Sequence, residues 1–221
     1  MDEVVHTFPK KAGDTVHMEV KEALALVDQY ITSPGLHAHC IGVGKIANVI
    51  AQALDRGGQM VNVERATLMG LIHDLGRERA NNERHGIEGY KLAREAGVPT
   101  EIACICLTHM TVGRTLAEAV AIGQLTEAEA HGFVEDEIDL TDLSREEQIV
   151  CLADSHVLNG EFVPLAGRIA ELESRKGLLT PQHWYNLNRI GDFVKCFEQI
   201  LNHPLKDLFC GQSLAEINFF S

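Results

Sequence analysis

Residues 66–76 read ATLMGLIHDLG, an apolar run closed by an adjacent histidine and aspartate, His73 and Asp74. A run this apolar belongs inside a fold. Two ionisable groups carried in with it need partners there, because an unpaired charge in a dry interior is very costly. Two readings are open. Either His73 is a satisfied core histidine and Asp74 an ordinary turn residue, or the helix ends at a metal ion. The segment that follows, GRERANNERHG, adds Arg77, Arg79, Arg84 and a further histidine, His85.

The rest of the chain repeats one pattern, apolar residues every three to four positions between short breaks. Val20, Leu24, Val27 and Ile31 mark the first helix, and TSPG ends it. Ile41, Ile46, Val49, Ile50 and Leu54 mark a second, stopped by RGGQ. The third runs to the His–Asp pair, with Asn62 as its N-cap and Gly76 as its stop. HGIEGYKLAREAG is a fourth, and VPTEIACICLTHM is read as one helix. Ser144 with Glu147 forms a capping box for SREEQIVCLADSHVLNG, and Thr180 with Pro181 starts the last long helix. No useful alternation of apolar and polar residues occurs, so a sheet is not expected. The expectation is an all-α fold, one helical domain over 1–221, with a core at about 18–160 and a C-terminal helical extension at about 161–221.

Charge narrows the function. The formal net charge of −13 opposes binding to a nucleic-acid polymer, which depends on phosphate neutralisation. A small anionic substrate is compatible, since a cleft can carry local charge of the opposite sign. Residues 126–148 hold nine acids against one base, Arg145, which reads as a solvated face. Six cysteines without a C-x-x-C pair read as reduced and mostly buried. The first residues follow no signal-peptide plan, and no apolar run approaches membrane-spanning length. The expectation is a cytoplasmic protein with no membrane partner.

The histidines divide by context. His6, His17, His183 and His203 lie near the termini or in polar settings, and His131 lies in the acidic stretch. His37 and His156 also read as structural, His156 on the far side of the Asp154 helix. The remaining set is His39, His73, Asp74, His85, His109 and Asp154. Each except the adjacent pair lies on, or at the end of, a different helix. Asp154 interrupts the apolar stripe VCLADSHVL, where a carboxylate needs a partner. Helix ends gathered at one point can present several ligands to a metal.

The order His … His-Asp … Asp, carried by HCIGVGKIA, LIHDLGRE and CLADSH, resembles the HD-domain superfamily of metal-dependent phosphohydrolases. HDLG before a basic residue resembles its HDIG-type subgroup, and the additional His85 and His109 resemble its binuclear branch. The resemblance covers roughly residues 36–158 and implies an HD-domain helical bundle with additional C-terminal helices. It implies that His39, His73, Asp74 and Asp154 hold one metal. His85 and His109 would hold a second, with Asp74 bridging. His73 and Asp74 are then the central catalytic residues. Two divalent transition-metal ions would be the cofactors, Fe or Mn first, with Zn, Co and Ni also suited to these ligands. Two such ions activate a bridging water and clamp phosphoryl oxygens. The implied function is a phosphatase or phosphodiesterase acting on a small phosphorylated metabolite or nucleotide. Arg77 is the first candidate to hold its phosphate, and Arg114 the second. Three other functions fit parts of the pattern: a di-iron oxygenase with the same ligands, a metal-containing signalling or binding module, and a mononuclear nucleotidase. The C-terminal helices, with Ile217, Phe219 and Phe220 near their end, either cover the cleft or form a homodimer contact.

Overall fold

A computed structural model describes residues 18–158, 160–211 and 213–219. The readings that fall on His6, His17 and Phe220 lie outside the described residues.

The chain folds as a helical bundle around two central helices. Helix α1 (Val20–Tyr30) leads through Ser33 and Pro34 into α2 (Pro34–Arg56). In α2, Cys40, Val43, Ile46, Ala47, Ile50, Ala51 and Leu54 are all buried. Helix α3 (Val63–Ile72) is capped by the Asn62 side chain, which accepts from the Arg65 amide. Every residue from 66 to 76 is buried. A helix that is apolar on all sides belongs at the centre of a bundle. The two central helices cross backbone against backbone: a Cβ placed on Gly70 would stand 2.9 Å from the Gly44 Cα.

The remaining helices wrap this pair. Helix α4 (His85–Glu95) is followed by the single turn α5 (Thr100–Ala103) and by α6 (Ile105–Thr111). The sequence reads α5 and α6 as one helix. The structure breaks them for one residue at Cys104, while Ile102, Ile105 and Leu107 are buried as the spacing requires. Helix α7 (Leu116–Ala121) precedes the acidic stretch and α8 (Glu127–Glu135) lies within it. Helix α9 (Arg145–Asp154) begins at the capping box of Ser144 and Glu147. Beyond the core, α10 (Leu165–Lys176), α11 (Pro181–Leu201) and two 3-10 turns, Leu205–Phe209 and Leu214–Glu216, pack back on it. Lys45 of α2 ties this end down by donating to the Leu214 carbonyl at 2.8 Å. Among the described residues, no helix is long and apolar enough to cross a membrane.

Three expectations need correction. A short antiparallel hairpin joins Val157–Leu158 to Glu161–Phe162. Strands of two residues are too short to leave an alternation. His156 is not on the far side of a helix, because α9 ends at Asp154. The His156 ring instead stacks on Phe162 at 5.3 Å. Gly76 does not stop α3, which ends at Ile72. The backbone runs on through i→i+3 turns, Ile72 to Leu75, Asp74 to Arg77 and Gly76 to Arg79. Gly76 is required for another reason. A Cβ there would lie 2.2 Å from both the Gly89 nitrogen and the His85 carbonyl oxygen, so only glycine lets α4 come this close.

The acidic stretch is anchored at Glu129. Its carboxylate accepts two bonds from Arg84, at 2.9 and 3.1 Å, and one from Lys91 at 2.9 Å. Burial works to raise its pKa, but Arg84, the Thr126 amide and Lys91 prevail and bring it to about 2.

Two predictions follow from this packing. Gly76→Ala should lower the stability to chemical unfolding by about 3 kcal/mol or more through overpacking. Gly132→Ala, in α8 where an added Cβ meets nothing within 4 Å, should raise it by about 0.5–1 kcal/mol. Equal effects would contradict the close approach at Gly76. For Glu129, a depressed carboxyl pKa stabilises above the unfolded value and loses that contribution as pH falls toward 2. Glu129→Gln should therefore cost stability at pH 7 and cost progressively less in acid, as read by unfolding from pH 7 down to pH 2.

Candidate metal centre

Five helices, each near one of its ends, deliver the predicted ligands to one place. His39 comes from the second turn of α2, His73 and Asp74 from the end of α3, and His85 from the first residue of α4. His109 comes from the last turn of α6 and Asp154 from the last residue of α9. All six predicted ligands are thus brought together.

The geometry centres on the Asp74 carboxylate, which divides its oxygens between two pairs of histidines. Oδ1 stands 3.2 Å from His85 Nε2 and 3.4 Å from His109 Nε2. Oδ2 stands 3.7 Å from His73 Nε2 and 4.0 Å from His39 Nε2. Asp154 Oδ1 adds to the second pair, 3.0 Å from His39 Nε2 and 3.7 Å from His73 Nε2. In each of the two trios, His39–His73–Asp74 and Asp74–His85–His109, one ligand atom per residue lies within 4.8 Å of the others.

Proton positions show that this cluster fits cations. His73 Nδ1 faces the Gly70 carbonyl at 2.8 Å, His85 Nδ1 that of Asn82 at 2.6 Å, and His109 Nδ1 that of Ile105 at 2.9 Å. A carbonyl only accepts, so each Nδ1 carries the proton and each Nε2 turns its lone pair to the centre. Arg77 Nη1 also lies 3.3 Å from His85 Nδ1. Both are donors in this tautomer, so that approach is a contact and not a hydrogen bond. His85 Nε2 and His109 Nε2 face each other at 3.3 Å. His73 Nε2 and Asp74 Oδ1 are buried without a hydrogen-bond partner. One proton on His85 Nε2 could serve His109 or Asp74, whereas a divalent cation serves all three.

The electrostatics agree. Burial works to raise the Asp74 pKa, but the neighbouring His73, His109, His85 and Arg77 hold it well below the carboxylate range. At Asp154 burial acts the same way and is outweighed by the adjacent His39 and His73 imidazoles. Burial lowers the His109 pKa, which favours the neutral imidazole that a metal requires. His73 is pulled down by burial, yet Asp74 and Asp154 carry it above its ordinary value.

The predicted phosphate holders differ in position. Arg77 stands at the centre with Nε 3.2 Å from Asp74 Oδ2. Arg114 is buried and committed elsewhere. Its Nη1 donates to the Thr111 carbonyl and to Asn186 Oδ1, and its guanidinium lies 3.9 Å from the Tyr185 ring centroid. It braces α11 against the end of α6. His37 pairs with Asp28 at 2.8 Å, in keeping with a structural role.

Several supporting groups were not anticipated. Gly70, Asn82 and Ile105 fix the imidazoles, and two of these carbonyls, three and four residues before a histidine, follow from helix geometry. Glu78 reaches back to accept from the Thr32 and Ser33 amides at 2.7 and 2.6 Å and so fixes the start of α2 beside Asp74. No local pattern marks that pairing, 45 residues apart. Arg168, Glu171 and Arg175 of α10 line a cavity that includes His39. Their i, i+3, i+7 spacing placed them on one helix face.

A family model described as HD domain matches residues 36–157. An uncharacterized protein of Methanocaldococcus jannaschii is 31% identical over 160 residues, covering 72% of this chain and 88% of that one. A tRNA (cytidine(56)-2'-O)-methyltransferase of Thermoplasma volcanium is 26% identical over 121 residues. That match covers 54% of this chain and 34% of the methyltransferase, so the chain spans about a third of its length. No solved structure matches.

Elemental analysis of protein purified without chelators should find about two divalent ions per chain. His85→Ala and His109→Ala should each leave about one, and Asp74→Ala close to none. A count that His85→Ala and His109→Ala leave unchanged would remove the second position.

Proposed function

The chain belongs to the HD domain family, and from that premise we propose that it hydrolyses a phosphate ester of a small metabolite or nucleotide. The observation that carries this reading is the division of one carboxylate between two histidine pairs, Oδ1 of Asp74 toward His85 and His109 and Oδ2 toward His73 and His39. A shared carboxylate with imidazole nitrogens on either side fits the donor set of a binuclear site. His39, His73, Asp74 and Asp154 would hold one ion, and Asp74, His85 and His109 the other, with Fe or Mn suited to the mixture. Bound there, two divalent ions supply Lewis acidity to phosphoryl oxygens and make a water acidic enough to attack near neutral pH.

The chain's own residues do the rest. Nδ1–H bonds to backbone carbonyls hold His73, His85 and His109 in the ligating tautomer. Arg77, partly exposed, meets Asp74 with Nε and keeps further N–H groups for a phosphate oxygen. His39 and Asp154 have side chains 20% and 29% exposed, against 2% for Asp74 and 2% for His85. Substrate therefore approaches from the His39–Asp154 side.

An oxygenase would use the same ligands, but arginines around the site favour an anionic substrate. The name of the methyltransferase relative does not bring an RNA substrate into this reading. The match covers 34% of that protein, and a net charge of −13 opposes polyanion binding.

Metal-loaded protein should release inorganic phosphate from part of a broad panel of phosphomonoesters or open part of a panel of phosphodiesters. No turnover on either panel, with oxygen consumed instead, would overturn the assignment. Arg77→Ala should raise KM for an active substrate roughly tenfold or more, the cost of a charge-assisted bond, while metal content holds. An unchanged KM would take Arg77 out of substrate binding.

A further inference from the structure

Beside the metal centre lies a cleft of about 460 Å³, lined by Gly35 and Ala38 at the start of α2, by His39, by the hairpin and by α10. This volume falls within the range of small-molecule sites. His39 belongs to both the cleft lining and the cluster of candidate metal ligands, so the cleft adjoins that cluster. The α10 wall contributes Arg168, Glu171 and Arg175.

These three charges are organised. Glu171 accepts from Arg168 Nη1 at 2.5 Å and from Arg175 Nε at 2.6 Å. Each arginine meets Glu171 through one nitrogen, and a guanidinium carries five N–H donors. Both forks are thus held in place with most of their donors uncommitted. Paired charges three and four residues apart on a helix add little to stability. Two cations against one anion leave this wall positive in a chain whose net charge is −13, the local reversal that draws an anion into a cleft. Arg168 and Arg175 are seven residues apart, about 10 Å along the helix axis, so the wall meets an extended ligand at more than one depth.

We propose that this cleft is a second anion site, in which Arg168 and Arg175 hold a non-transferred phosphate or carboxylate of the substrate whose scissile phosphate lies at the metal centre. Glu171 is a positioning residue that keeps the two guanidiniums aimed. The substrate class is then a phosphate ester that carries a second anionic group, as opposed to one whose remaining part is uncharged. This inference rests on the phosphohydrolase reading above for its kinetic arm and on cleft geometry for its binding arm.

The kinetic arm compares three substrates: a plain aryl phosphate, the same ester bearing a carboxylate, and the same ester bearing a second, non-hydrolysed phosphonate. In the native metal-loaded protein, at least one doubly anionic ester should show a KM about tenfold or more below that of the plain ester. Arg168→Gln with Arg175→Gln should erase that advantage, raising the doubly anionic ester's KM much more than the plain ester's, with the metal content and the helical circular dichroism unchanged. Which of the two substituted esters is preferred identifies the anion. Arg168→Lys with Arg175→Lys, which keeps the charge and loses the fork, should fall between.

The binding arm uses calorimetry with an alkyl monophosphonate and the same phosphonate carrying a terminal carboxylate or second phosphonate. Tighter binding of a doubly anionic ligand to the native protein, lost in the double glutamine variant, supports the site. An equal preference in native and variant protein overturns it, as does no preference in the native protein. If no ester is hydrolysed while the binding preference appears and depends on the two arginines, the anion site stands and the hydrolase reading fails. If the plain ester is hydrolysed and no second anion matters, the hydrolase reading stands and the anion site fails.

Discussion

A carboxylate buried to 2% exposure cannot keep its charge alone, and the structure is arranged around satisfying Asp74. Removing such an ion from water costs several kcal/mol even after relaxation. Asp74 is nevertheless held well below the usual carboxylate range, with His73, His109, His85 and Arg77 as its partners. The backbone fixes three of those imidazoles with their protons turned away. The interior thus presents lone pairs and negative oxygens to one another at 3.2 to 3.4 Å, an arrangement that only positive charge between them makes favourable.

Bringing five helices to one carboxylate demands close packing, and glycine supplies the room. Gly44 and Gly70 let the two central helices touch backbone to backbone. Gly76 and Gly89 let α4 press on the turn that carries Asp74, and Gly86 brings α4 against the Cys106 carbonyl of α6. With a Cβ at these positions, the helices would separate by a fraction of an ångström to several. The imidazoles of His85 and His109 would then leave the reach of Asp74. The packing of the core and the chemistry of the centre are one constraint in this fold.

That unity explains which parts were legible in the sequence. Helical periodicity and caps are local, so Asn62, Ser144–Glu147 and Thr180 mark helix starts in the sequence as they do in the structure. The cluster of six side chains was legible because a polar residue inside an apolar stripe, as at Asp154 and at His73–Asp74, needs a reason to be there. Gly76 was visible but misread. Glycine after an apolar run has the same sequence signature whether it ends a helix or admits a neighbour, and only the path of α4 distinguishes the two. Arg114 was assigned by proximity in sequence to His109, and its actual partners, Asn186 and Tyr185, lie more than 70 residues on. Glu78 and the α10 arginines likewise act across the fold, where composition and spacing carry no information about distance.

The two clusters that could hold a metal ion are unequal. The position formed by Asp74, His85 and His109 is enclosed on every ligand, whereas that formed with His39 and Asp154 opens to the cleft. Charge interactions are strongest where water is excluded, so the inner position suits holding an ion and the outer one suits exchanging ligands with solvent and substrate. The segment matched by the family model, residues 36–157, contains all six ligands and stops before α10. The wall with Arg168, Glu171 and Arg175 therefore lies outside the matched segment while facing its open side. On the proposed reading, the matched core would carry the reaction chemistry and the added helix would select among anions.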